Sequence, residues 1–331
     1  MSYRALFPLL ALLLPSLGGC ATTTADGCKV GADCASGVCN VDGTCGGEST
    51  TATSGGTTTT TGGSGGSGGA SSSTGSATTS SGSSTTGAGC SGGGGACSPP
   101  NNDGTITQEE LPVMVGLHEN FSAAASVPVD TAGKVGLGGE HVWDLSAPIT
   151  GQADEKVETL PIAGQWFAAS FPGATYASRL SSTSDLLGVF EVAAGKLLLR
   201  GVVSPADGPK ATSLVYTTPI VVLSFPIKEG GTWTTSSKIT GKASGTTISV
   251  FYADTYTSKV DAHGTMKTPF ATFPVLRIRV DRLSNLAGII TSSHRFVFVT
   301  ECFGTVATMV SKDYEMADEF TTAAEVSRLA P

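Results

Sequence analysis

The sequence predicts an all-β fold, an antiparallel two-sheet sandwich or an open, strongly curved barrel, carried after a disordered stalk. Three observations predict it. Residues 46–97 are almost entirely Gly, Ser, Thr and Ala, a composition with nothing to bury. Beyond them the apolar residues recur with a period of two rather than about 3.6. Glycine-containing pairs and triplets punctuate those runs at hairpin spacing.

The β runs are explicit. Val275-Leu276-Arg277-Ile278-Arg279-Val280 sets leucine, isoleucine and valine on one face and both arginines on the other. Ile248 to Tyr256 alternates less strictly, and Lys196–Arg200 and Arg295–Thr300 are short β-rich runs. Ala194-Gly195, Asp207-Gly208, Glu229-Gly230-Gly231 and His263-Gly264 read as the turns between runs. One short helix is expected near Thr321 to Leu329.

Ahead of this β domain, residues 1–19 read as a signal peptide. Arg4 supplies the positive charge, and the 13-residue apolar run Ala5–Leu17 is too short to span a bilayer, which needs roughly 20 residues. The run closes on Leu17-Gly18-Gly19-Cys20, which resembles the lipobox of bacterial lipoproteins. That resemblance implies lipidation of Cys20, a lipidated N-terminus over 20–27 and a membrane anchor. Ala21, where inner-membrane retention would place aspartate, implies the outer membrane, with the domain facing the periplasm or the surface. The plainer alternative is a secretory leader with an incidental cysteine.

Cys28, Cys34, Cys39 and Cys45 form a disulfide-rich micro-module over 28–45, with three connectivities open. Zinc would want C-x2-C pairs, which are missing. The segment Asp33–Cys39 resembles short cysteine-rich modules of myxobacterial envelope proteins and the first half of Dickkopf-type knots. Residues 46–97 follow as a flexible tether, with a root-mean-square span of roughly 40 Å for about 50 residues. Cys90, Cys97 and Cys302 remain. Either Cys90 joins Cys97 and leaves Cys302 as a buried thiol, or Cys97 joins Cys302.

Residues 98–331 are long enough for one β core, and their net charge of −6 without basic clusters excludes nucleic acid as a partner. The order His141–Ser146, Phe225–Trp233, Val260–Phe270 and Phe273–Arg277 resembles uncharacterised β domains of exported bacterial envelope proteins. The resemblance implies location and fold and brings no activity or site residues. Nucleophile elbows, His-Glu-x-x-His and phosphate loops do not occur, and His118, His141, His263 and His294 share no ligand spacing. No catalytic residue is therefore assigned.

Trp143, Trp166 and Trp233 offer either core or a sugar-stacking platform. Asn101-Asn102-Asp103-Gly104-Thr105-Ile106-Thr107-Gln108-Glu109-Glu110 matches the second half of an EF-hand loop, with Asn101, Asp103, Thr105 and Glu110 as the oxygen ligands. Pro99 at the first ligand position weakens calcium as a cofactor. An Asx turn opening a short helical turn at Gln108–Leu111 explains the same residues. The expected function is a non-enzymatic envelope lipoprotein. Its β domain would bind a protein, a glycan or an apolar ligand inside the curved sheet, for adhesion or envelope assembly. The alternatives are a periplasmic or surface hydrolase with a dispersed site and a calcium-stabilised adhesion module.

Overall fold

The computed structural model describes residues 100–111 and 113–331. Leader, Cys20, the Cys28–Cys45 module, the Gly/Ser/Thr segment, Cys90 and Cys97 lie outside the described residues. Strands and their connections account for the described residues, with one 3-10 turn at Ala168–Ser170. β1 (Thr105–Ile106), β2 (His118–Pro128), β3 (Lys134–Val135), β4 (His141–Asp144), β5 (Ala153–Glu158) and β6 (Leu160–Pro161) precede that turn. After it come β7 (Tyr176–Ser181), β8 (Ser184–Ala193), β9 (Lys196–Val203), β10 (Ser213–Ser224), β11 (Ile227–Lys228) and β12 (Thr232–Ala243). β13 (Thr246–Thr247), β14 (Tyr252–Lys267), β15 (Thr272–Leu286), β16 (Ile289–Thr300), β17 (Gly304–Val310) and β18 (Thr322–Leu329) complete the domain.

The main sheet runs β5-β2-β18-β17-β16-β15-β14-β12-β10-β9-β8-β7-β6, antiparallel along its whole path, and curls into a nearly closed barrel-like form. Thr159 alone separates β5 from β6, so the chain steps from one end of the path to the other. Arg179 of β7 closes the gap by donating to Glu155 of β5 at 3.1 Å. Between the sandwich and the curved barrel that the sequence left open, the barrel-like form is the one adopted.

The central strands bury both faces. Leu276, Ile278 and Val299 pack with Tyr216, Ile220 and Ile239 across the curved sheet. On the other face Phe296 and Phe298 pack with Trp143, Phe320 and Met266. Each such side chain contributes roughly 1.5–3 kcal/mol on burial. The arginine face of β15 is therefore not a solvent face. Arg277 is buried with its guanidinium 4.4 Å from the Phe296 ring centre and 5.5 Å from that of Trp143. It donates two bonds to Asp261 at 2.9 Å and two to Glu319 at 2.8 and 3.2 Å, and one to the Thr131 carbonyl at 2.6 Å. A β-bulge between Val260 and Ala262 adds Asp261 as the extra residue and aims it at Arg277. Burial opposes the charge on Arg277, and its hydrogen bonds to Asp261 and Glu319, with their negative charges, outweigh that effect, so its pKa rises above the ordinary value.

Three expectations are corrected. Thr321–Leu329 is not a helix but contains β18, held between β17 and β2, because ladder pairing on both sides overrides a local helical tendency. His263-Gly264 is no turn but the interior of β14. There β4 runs parallel beside it, and a Cβ on Gly264 would sit 1.9 Å from the His141 carbonyl oxygen. Glycine is needed for close approach, which sequence reads as a turn. Ile248–Phe251 forms a connection, and the strand begins at Tyr252. Cys302 lies in the turn between β16 and β17 and is disulfide-bonded, which removes the free-thiol alternative. Which cysteine it joins lies outside the described residues.

Two outcomes are expected. Arg277→Leu strands Asp261 and Glu319 without their cation and should lower unfolding free energy by about 3–5 kcal/mol in urea titration. Burial pushes Glu119 up from 4.5 to about 7. The raised value means the native state binds the proton more tightly than the unfolded state. The contribution of Glu119 to stability is therefore fully present below pH 4.5 and is lost as pH rises to about 7. Thermal melts of Glu119→Gln should lack that decline.

Candidate functional site

Two surface features stand out, one at each end of β16. At the Thr300 end a cleft of about 310 Å³ opens between the 102–106 segment, the turn after β11, β14, β15 and β16. Its floor is Ile106, Leu276 and Val299, and Glu229, His263 and Glu301 line its polar side. His263 Nδ1 lies 2.7 Å from Glu229 Oε2, with both side chains about half exposed. Glu301 is buried and accepts the Asn102 backbone N–H at 3.2 Å. An imidazole oriented by a carboxylate at a cleft is the geometry of a general base.

The EF-hand-like residues border this cleft and are turned on their own backbone. Asn101 Oδ1 accepts from the Asp103 N–H at 2.9 Å, and Asp103 Oδ1 from the Thr105 N–H at 2.8 Å. Glu110 accepts from Asn101 Nδ2 and from the Thr107 N–H, both at 2.8 Å. β1 then pairs with β11, which pins the segment to the barrel. Gln108–Leu111 is a single turn, closed by a 3.3 Å bond from the Leu111 N–H to the Gln108 carbonyl. Among the described residues no group of three or more His, Cys, Asp or Glu side chains is placed to hold a metal ion.

The tryptophans do not form a platform. Trp143 is buried beside Arg277, Trp166 donates to the Ser204 carbonyl at 3.1 Å, and Trp233 donates to the Val221 carbonyl at 3.0 Å. Each belongs to a different core cluster: Trp143 sits on β4, Trp233 on β12, and Trp166 in the turn before the 3-10 segment. The other histidines are equally dispersed: His141 stacks on Trp143, and His294 pairs with Asp281 at 2.5 Å.

The opposite end of β16 is apolar and exposed. β15 and β16 meet in the turn Ala287-Gly288, with φ values of 53° and 86°, as a tight hairpin requires. Leu286, Ile289 and Ile290 around it are 39%, 65% and 53% exposed. Val250 and Phe251 lie alongside, both exposed, and the Ala287 N–H donates to the Phe251 carbonyl at 2.8 Å. Tyr314 joins from the loop after β17, its N–H donating to the Ser292 carbonyl at 2.7 Å. Sequence reading missed this end. Its signal was Leu286-Ala287-Gly288-Ile289-Ile290, five uncharged residues at a hairpin tip, where polar residues are usual.

A buried polar cluster roots the hairpin. Asp254 is fully buried and accepts from Arg282 at 2.9 and 3.2 Å and from the Tyr256 hydroxyl at 3.3 Å. Burial, reinforced by Asp254, pushes the phenols of Tyr216 and Tyr252 up, so both stay protonated and uncharged. The apolar end thus projects from a fixed base rather than from a loose loop.

The turn at 101–110 yields a measurable expectation: Glu110→Ala removes two side-chain hydrogen bonds and should cost about 1–2 kcal/mol in denaturant unfolding. Comparison with protein families, curated proteins and solved structures finds no match to this chain.

Proposed function

We propose that this chain is a lipid-anchored protein of the cell envelope that presents a rigid β domain for binding rather than catalysis. The observation that carries this reading is the exposed apolar end formed by Val250–Phe251 and Leu286–Ile290. Soluble monomers seldom expose contiguous apolar surface without using it. Tyr216, Ile220, Ile239 and Ile278 pack together in one core cluster, and binding is assigned to the exposed apolar end. Anchoring rests on Leu17-Gly18-Gly19-Cys20 and on the sequence that follows it, with the outer membrane as the site.

A second reading, a hydrolase, draws on the His263–Glu229 pair at the cleft. It requires turnover of an ester, glycoside or peptide substrate that disappears in His263→Ala.

Mass spectrometry of the mature protein from a Gram-negative host tests the main reading. The expected product begins at residue 20 and carries a lipid-sized mass increment that Cys20→Ser abolishes. A mature mass without that increment overturns the anchor.

A further inference from the structure

We propose that the apolar end of the domain inserts into a lipid bilayer interface, giving the protein a membrane contact separate from any lipid on Cys20. The inference deepens the binding role above and takes its location from the same end.

Chemistry at that end favours a bilayer over a polypeptide. Residues 243–253 and 283–293 contain no Asp, Glu, Lys or Arg, so the two adjoining segments offer a partner no ionic contact at all. Protein-binding surfaces usually add charged or hydrogen-bonding specificity around an apolar centre. Here Val250, Phe251, Leu286, Ile289 and Ile290 form the projecting part. Hydroxyls stand behind it on Tyr252, Ser284, Thr291 and Tyr314, and Tyr314 lies 3.4 Å from Thr291 through its hydroxyl. Apolar side chains ahead of tyrosine hydroxyls match the acyl boundary and the head-group layer.

The dimensions agree. The Tyr314 backbone meets β16 at Ser292, two residues behind Ile290. At about 3.3 Å per residue, Ile290 leads Ser292 by roughly 7 Å. Interfacial insertion typically reaches roughly 5–10 Å. Asp313 and Glu315, flanking Tyr314, then stand at the level where insertion stops, and they oppose anionic lipid rather than seeking it. Reach is not limiting. The described chain starts at the other end of β16, and the 79 residues from 21 to 99 extend to at most roughly 270 Å.

The test uses the mature chain from residue 20 with Cys20→Ser, so no lipid assists, and flotation with phosphatidylcholine vesicles. Binding is expected in 50 and in 500 mM salt alike, and adding phosphatidylglycerol should not strengthen it. Ile289→Ser/Ile290→Ser and Phe251→Ser should each reduce the bound fraction at least tenfold while leaving the melting temperature unchanged, since all three positions are exposed. No flotation of the Cys20→Ser chain overturns the proposal, as does binding that survives the tip substitutions or collapses in high salt. Those failures leave the lipid-anchor reading intact, because the mass of the mature protein decides that separately.

Discussion

The guanidinium of Arg277 is the interaction on which the architecture of one half of the barrel depends. It sits between two aromatic rings and gathers a carboxylate from β14, a carboxylate from the segment before β18, and a carbonyl from the connection after β2. Five fixed donors allow one side chain to satisfy all three at once, which a lysine could not do. Trp143 shares the arrangement, since its indole N–H donates to the same Thr131 carbonyl at 2.8 Å. A buried charge of this kind is costly unless every partner is present, so it fixes one arrangement of these segments.

Two further features follow from it. The bulge at Asp261 exists where the partner carboxylate must face Arg277, and it sits next to Gly264, where β4 comes within van der Waals contact of the β14 backbone. β14 therefore has two neighbours on one edge, β12 along its first half and β4 along its second. Arg328 plays a comparable part nearby, donating to the carbonyls of Leu145 and Ala147 and to Gln152. It has no carboxylate partner at hydrogen-bond distance among the described residues, and burial lowers its pKa. Buried arginines thus hold the irregular connections that β ladders cannot reach.

Around the packed barrel and its rooted hairpin, two surface features stand out. The cleft at the Thr300 end and the apolar end at the Ile289 turn lie along the same strand, at opposite extremes. Ladder pairing of β16 with β15, and with β17 beyond Arg295, makes that strand rigid. The buried Asp254, paired with the partly exposed Arg282, fixes the hairpin base behind the tip.

Alternation in Val275–Val280 and the Ala194-Gly195 turn were legible because both depend on neighbours in sequence: a pleated strand sorts residues by parity, and a tight turn needs positive φ. The short segments that misled were those settled by distant partners. Gly264 read as a turn because the strand that demands its missing Cβ lies more than a hundred residues earlier, and Thr322–Leu329 read as helix because one of its two flanking strands, β2, lies almost two hundred residues earlier. The same limit hid the apolar end: Phe251 and Ala287 come together only when β14 and β15 pair. The sequence by itself determined an all-β domain, because period two is a local property of the extended backbone. Closure of the barrel, burial of Arg277 and assembly of the apolar end were decided by tertiary structure, because each requires strands far apart in the chain to lie side by side.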